Sequence, residues 1–224
     1  RGLRQRGGRV QTSAEVVGLT RTGDAWTIQL AEGEPVQARR VVNAAGAWAD
    51  AVARLASARP VGLVPRRRSA FSFPAPAGTD VRRWPAAIGV AENWYFKPDA
   101  GQLLGSPANA DPTEPHDVQA EELDVATGIA HIEAVTTLTI RRPTHVWAGL
   151  RSFVADGEFV IGEDEAVEGF FWLVAQGGYG IQSAAGYSLL ARNLLLQEPL
   201  SEPLRAQGID ATMAAALSPR RLRA

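Results

Sequence analysis

The sequence predicts an α/β protein, and three observations carry that expectation. Short β-branched runs separated by glycine-centred turns open the chain, a strand–turn–helix succession occurs twice, and Phe170-Phe171-Trp172-Leu173-Val174-Ala175 forms one continuous apolar run. At 224 residues, 46% hydrophobic and 21% charged, the chain has material for one large core or two smaller ones, which argues against disorder.

Val10 to Leu19, Trp26 to Leu30 and Val36 to Val42 are separated by Gly23-Asp24 and Glu32-Gly33, the punctuation of an antiparallel meander. The last run passes through Asn43-Ala44-Ala45-Gly46 into Ala47 to Leu55, whose apolar spacing is helical. From Val61 the strand pattern returns in Ser69 to Phe73, Ala87 to Val90, Trp94 to Lys97 and Gln102 to Leu104, with Pro98-Asp99-Ala100-Gly101 as a hairpin turn. Val118 to Leu138 reads as one helix, and Val146 to Val160 as a strand pair around Ala155-Asp156-Gly157. The run from Phe170 reads as a buried parallel strand leading through Gln176-Gly177-Gly178-Tyr179-Gly180-Ile181-Gln182 into a helix from Ala184 to Leu196.

Composition narrows the function classes. Twenty-three basic against 24 acidic residues leave a net charge of -1, so no overall field draws the chain to nucleic acid or an anionic membrane. The absence of cysteine rules out disulfides, thiolate nucleophiles and cysteine metal sites, and fits a reducing, cytoplasmic compartment. The apolar runs fall far short of the ~20 residues that a transmembrane helix needs. Arg1 to Gly8 carries charges with no apolar stretch behind them and no initial Met, so it reads as a chain entered midway rather than a secretory signal. His116, His131 and His145 are scattered without metal-ligand spacing and read as surface or helix-face residues; no metal site and no catalytic acid–base or nucleophile set is predicted.

Each strand-to-helix turn offers unpaired backbone N–H groups and the positive end of a helix dipole behind small residues. Either turn taken alone reads first as a plain connection and second as an anion or flavin site. Neither matches GxGxxG, and no P-loop lysine follows, Lys97 being the chain's one lysine.

Val41-Val42-Asn43-Ala44-Ala45-Gly46-Ala47-Trp48-Ala49-Asp50 resembles the glycine oxidase, sarcosine oxidase and D-amino acid dehydrogenase family of flavoproteins. So does a second block, in order and spacing: Trp147 to Phe153, Asp156-Gly157, Val160-Ile161-Gly162 and Gln176 to Ile181. Within that family the likeness is to the D-arginine dehydrogenase branch, through Arg66-Arg67-Arg68-Ser69-Ala70-Phe71, Tyr95 to Gly101, Ser106 to Pro112 and the tail Ser218 to Leu222. The resemblance implies an incomplete Rossmann-like FAD-binding domain plus an antiparallel-sheet substrate domain. Residues 1–60 and 146–224 would belong to the former and 61–145 to the latter. The family's first βαβ unit, with its glycine fingerprint and ribose-binding acid, has no counterpart here, so a separate N-terminal chain becomes a candidate partner.

The resemblance also implies site residues. Arg151 would grip a substrate carboxylate, a task suited to a planar guanidinium; Tyr95 would join it through its hydroxyl, and Arg68 is the register-selected third contact. Gly177, Gly178, Tyr179, Gly180, Ile181 and Gln182 would lie near the flavin, with Ile181 also an apolar wall over substrate. Ala45, Gly46 and Trp48 would contact the cofactor at the first turn, and the Val16 and Val17 backbone would meet its adenine. The implied reaction is hydride transfer from the α-carbon of a D-amino acid, arginine or lysine, to FAD, with the imino acid hydrolysed to a 2-oxo acid and ammonia and the electrons passed to an unknown acceptor. A peroxide-producing glycine or sarcosine oxidase, or an inactive fragment, stand as alternatives.

Overall fold

The computed structural model describes residues 2–223. In chain order, the short helix α1 (Gly2–Gln5) precedes β1 (Val16–Thr22), β2 (Ala25–Leu30), β3 (Val36–Ala38), β4 (Val41–Asn43) and α2 (Ala49–Leu55). Then come β5 (Val64–Phe73), β6 (Ala87–Ile88), β7 (Tyr95–Asp99), β8 (Gln102–Ser106), β9 (Asp111–Pro112), α3 (Glu122–Val135) and β10 (His145–Phe153). Last are β11 (Val160–Glu163), β12 (Phe170–Val174), α4 (Gly180–Leu195), α5 (Glu202–Ala206) and α6 (Ala211–Ala216). These α/β elements form two units, one reaching to Leu63 and resuming at Val154, the other spanning Val64–Phe153.

In the first unit β1, β2 and β3 form the expected antiparallel meander, with Gly23 at φ +62° in the two-residue turn between Thr22 and Ala25. Two expectations need correction. The stretch from Val10 to Glu15 is not strand, so the first run begins at Val16; Val10 and Ala14 are isolated among polar residues and offer no apolar face for a sheet to bury. The run Val36 to Val42 is divided: β3 pairs with β2, whereas β4 leaves the meander and lies parallel to β12, which is antiparallel to β11. Burial of Phe170, Trp172 and Val174 gives β12 its place at the centre of that three-stranded sheet, as its continuous apolar run predicts. Phe170 packs between Trp26 and Trp172, at ring-centroid distances of 6.2 and 5.4 Å, and ties the two sheets of the unit into one core with Ala49 and Ala53 of α2.

The expected strand pair from Val146 to Val160 does not form. β10 pairs antiparallel with β5 along its whole length, from His145 against Ser72 to Phe153 against Val64, while β11 pairs with β12. Asp156-Gly157 is a turn, with Gly157 N–H donating to the Val154 carbonyl, but it connects strands of different sheets and is no hairpin. A local turn signal shows that the chain reverses there; which strands pair is decided by non-local packing.

The second unit is a mixed-order antiparallel sheet, β10-β5-β8-β7-β6, with β9 added beside β5. The β7–β8 hairpin is tighter than the four-residue turn expected: Asp99 pairs with Gln102, leaving Ala100 and Gly101 at φ +48° and +82°. Two successive positive φ values match the right-handed twist of a hairpin. Helix α3 is shorter at both ends than the expected Val118 to Leu138 and covers one face of the sheet, burying Ile132 against Phe71, Phe73, Phe96 and Leu103. Its approach needs glycine: a Cβ on Gly105 would lie 2.8 Å from the Phe71 ring, and one on Gly128 2.9 Å from the Pro107 backbone nitrogen.

The tail after α6 is fastened to the first unit. Leu217 carbonyl accepts from Ile161 N–H, Arg221 makes a two-pronged pair with Asp156 (2.7 and 3.1 Å), and Arg223 pairs with Asp164. Asp164 is 4% exposed and also accepts from Trp172 Nε1 (2.9 Å) and from the Ala166 and Val167 N–H groups. Burial pushes its carboxyl up, but the hydrogen bonds from Arg223, Trp172 and Ala166 outweigh that and hold it below the ordinary carboxylate range.

Two outcomes follow. Gly128→Ala gains helix propensity of ~1 kcal/mol, yet places a methyl against backbone that cannot swing away, so we expect a net loss of ~1–3 kcal/mol in urea unfolding; a stabilised variant would show that α3 shifts freely. Asp164 has a depressed folded-state pKa, so its stabilisation is complete above the ordinary value near ~4 and is lost as pH falls through the folded value. Asp164→Asn should therefore cost ~3 kcal/mol near neutral pH by stranding Arg223, with the gap to wild type narrowing below about pH 4; a gap of equal size in urea melts at pH 7 and pH 3 would refute this.

Candidate functional site

Strand alternation sorts the arginines of β5. Phe71 and Phe73 face α3, so Arg67 and Ser69 share that side, and Arg66 and Arg68 take the opposite one. Arg67 is spent on acids of the helix side: it pairs with Glu121 and lies 3.5 Å from Asp111 and 3.2 Å from Asp124, the last too bent to count as a hydrogen bond. The β5–β10 register sets Gly149 opposite Arg68 and Arg151 opposite Arg66, so Arg151 joins Arg66 and Arg68 on the far face. Tyr95 arrives there by the same rule, because its neighbour Phe96 is buried on the α3 side.

Arg68, Tyr95 and Arg151 therefore meet on one sheet face. Burial, and next the like charge of Arg151, lower the Arg68 pKa from its ordinary value; the Tyr95 oxygen acts in the opposite sense. Arg68 Nε donates to the Asn109 carbonyl (2.5 Å), and the Arg151 guanidinium lies 5.7 Å from the Phe153 ring centroid, with Arg66 at 6.0 Å from the same ring. Among the described residues neither Arg68 nor Arg151 has an acidic partner within 4.0 Å, in contrast to Arg67. Arg66 on the same face likewise has no acidic partner among the described residues and donates to the Ala110 carbonyl (3.1 Å); Arg68 and Arg151, beside a phenol hydroxyl, can receive an external carboxylate by charge-assisted hydrogen bonds.

In the first unit the two strand-to-helix turns leave the same end of one sheet. β4 and β12 are parallel neighbours whose last register pair is Asn43 with Trp172, and the turns 44–46 and 175–179 follow side by side. This is the carboxyl edge at which open α/β sheets bind ligands. In the first turn Gly46 stands at φ +55°, and Ala45 and Gly46 leave backbone accessible next to Trp48, which is 47% exposed. In the second, Ala175 and Gly177 take φ +63° and +54°, and α4 begins at Gly180, four residues before the expected start. A Cβ on Gly180 would lie 2.8 Å from Gln176 Cβ, so glycine keeps the turn closed. Among the described residues no side chain caps α4, leaving its first N–H groups for a ligand. Gly178, Tyr179, Ile181 and Gln182 are exposed around that helix start, Ile181 at 97%. Both edges thus fit the phosphates or ring of a dinucleotide.

Val16 and Val17 are elsewhere. They lie in β1, in the meander sheet, where Val16 packs on the core and Val17 occupies a β-bulge with its side chain 45% exposed. Among the described residues no strand pairing joins them to the two turns.

Sequence reading gave no role to two residues, Asn43 in the first turn and Asp50 in the helix after it. Asn43, buried, donates Nδ2 to the Ala49 carbonyl (2.8 Å) and accepts from Ala45 N–H (3.3 Å), bridging the turn from strand to helix. Asp50 accepts from the consecutive N–H groups of Val61, Gly62 and Leu63 at 2.9–3.1 Å, fixing the loop that leaves this unit. A polar residue closing an apolar strand and an acid in the first helical turn were the available signals. Their partners, six and eleven to thirteen residues onward, carry no such mark.

The comparisons agree with this architecture. L-proline dehydrogenase from P. horikoshii superposes with a TM-score of 0.76 at 19% identity, over 98% of this chain and 56% of that one. Iminodiacetate oxidase from Chelativorans sp. BNC1 gives 0.74 at 17% identity over 90% and 54%, and glycine oxidase from Geobacillus kaustophilus 0.73 at 20% identity over 95% and 53%. At these identities the likeness shows the fold, and the chain spans little more than half the length of each structure. A family profile described as FAD dependent oxidoreductase matches residues 1–194. With most of its length under that profile, the chain belongs to the DAO family of FAD dependent oxidoreductases.

Proposed function

We propose that this chain is part of an FAD-dependent dehydrogenase that oxidises D-amino acids, with D-arginine or D-lysine as substrate, and that Arg68, Tyr95 and Arg151 hold the substrate carboxylate. The observation that carries the reading is that Arg68 and Arg151 stand beside each other and the Tyr95 hydroxyl, without acidic partners, on one face of the second unit's sheet. The names of the similar structures support it: L-proline, iminodiacetate and glycine all join an amine to a carboxylate on one carbon. Preference for a basic D-amino acid rests on the sequence likeness through Arg66 to Phe71 and Tyr95 to Gly101.

In this reading the unit from Val64 to Phe153 is the substrate domain and the remainder is part of the FAD-binding domain. Ala45, Gly46, Trp48 and Gly177 to Gln182 would hold the cofactor through exposed backbone and the uncapped α4 start, Val16 and Val17 would supply backbone contacts to adenine, and Ile181 an apolar contact to bound ligand. The chemistry that FAD would supply when bound is acceptance of a hydride from the substrate α-carbon. The chain's own contribution is orientation: two charge-assisted contacts and one hydroxyl fix the carboxylate, so that the α-carbon is presented in one pose. The amine must be neutral to yield its electrons; the adjacent positive charges of Arg68 and Arg151 favour loss of its proton to water. A segment bearing a glycine fingerprint, continuous with this chain or separate, completes the cofactor site.

The test is the visible spectrum of the FAD-supplemented protein during anaerobic addition of D-arginine. Bleaching of the flavin band supports the reading, and an unchanged band with retained flavin sinks it. Arg151→Ala should raise KM ~10–100-fold, as loss of a hydrogen bond between charged groups requires, and Tyr95→Phe ~3–10-fold. A Tyr95→Phe effect as large as that of Arg151→Ala would give the hydroxyl a different part.

A further inference from the structure

Arg68 has a long side chain with many rotamers and the like charge of Arg151 beside it, so its strand alone does not fix its guanidinium. What holds it is the loop after β8. The Asn109 carbonyl takes the Arg68 Nε hydrogen (2.5 Å), which occupies one edge of the guanidinium and leaves its two terminal nitrogens unclaimed by that contact. The Asn109 side chain points the other way and is saturated on the α3 side of β5. Its Oδ1 accepts from Ser69 N–H (2.9 Å), and its Nδ2 donates to Asp111 (2.8 Å) and to Asp124 of α3 (2.9 Å).

The rest of the loop is shaped for this. Ser106 Oγ donates to the Ser69 carbonyl (2.7 Å) and accepts from Ala108 N–H (3.0 Å), and Ala108 adopts φ +53°, a strained angle for alanine that turns the following peptide. Asp124 also accepts from Ser69 Oγ (2.8 Å) and neighbours Arg67, so its carboxylate is itself fixed. A line of contacts thus runs from α3 through the Asn109 amide to the Asn109 carbonyl and on to Arg68. Asparagine suits position 109: aspartate would bring a third carboxylate to Asp111 and Asp124, and alanine would release all three side-chain bonds.

We propose that Asn109 is a positioning residue that sets the Arg68 guanidinium for carboxylate binding. This rests on the reading of Arg68, Tyr95 and Arg151 as the carboxylate contact. A loop with a purely structural part would change stability when altered but leave Arg68 as it was.

The experiment is NMR of the arginine Nε–H groups in the FAD-supplemented protein, assigned with Arg68→Lys and Arg66→Lys, with acetate as the bare carboxylate probe. In wild type the Arg68 Nε–H should exchange at least ten-fold more slowly than that of Arg66; equal rates overturn the proposal without recourse to any variant. In Asn109→Asp and Asn109→Ala, matched for thermal unfolding, that protection should disappear and acetate should bind about ten-fold more weakly, as loss of about 1.4 kcal/mol gives. Acetate that binds wild type and both variants alike overturns the proposal for Asn109 alone. Acetate that moves neither Arg68 nor Arg151 in wild type overturns the carboxylate reading and this proposal with it.

Discussion

The candidate substrate site depends on the register between β5 and β10. Because side chains alternate along a strand, sliding β5 by a single residue would exchange the faces of Arg67 and Arg68, and sliding β10 would turn Arg151 to the helix side. The observed register is held from the α3 face by packing and by charge. Phe71 and Phe73 are locked against Ile132 under α3, and Arg67 is locked to the acids of the same side. A slip of β5 would turn Phe71 and Phe73 out of the core and strand Glu121 and Asp124, so packing and charge select the same alignment.

That arrangement makes three consecutive arginines chemically different. Arg67 is neutralised and structural, Arg66 lies near the Phe153 ring, and Arg68 is brought beside Arg151 with no acid to compensate. Placing two like charges side by side costs stability, and folded proteins keep such an arrangement where the charge has a use. The glycines at 105 and 128 serve the same end indirectly, since they let α3 and the loop after β8 approach closely enough for Asp124 to reach Asn109.

The first unit rests on a different constraint, the parallel pairing of β4 with β12. Two parallel strands point their carboxyl ends the same way, so two turns distant in sequence emerge together. The buried Phe170, Trp172 and Val174 fix β12, and Asn43 closes β4 by bonding across its own turn. Helix starts and positive-φ residues then accumulate at one edge, the arrangement that receives anions in open α/β sheets.

The sequence by itself determined the element types and many of their positions. Periodicity, turn residues and the apolar run from Phe170 are local signals, and they correctly announced the meander, the β7–β8 hairpin, α3, β12 and both strand-to-helix turns. Arg68, Tyr95 and Arg151 came into view as candidates through likeness to a family and not through these local signals. Only the tertiary structure decided that β4 leaves the meander for β12, that β10 pairs with β5 rather than β11, and that Asn109, Asn43 and Asp50 tie their surroundings together. The reason is physical: a residue's preference for strand or turn is written in its neighbours along the chain, whereas strand partners and hydrogen-bond acceptors tens of residues away are chosen by the packing of the whole core.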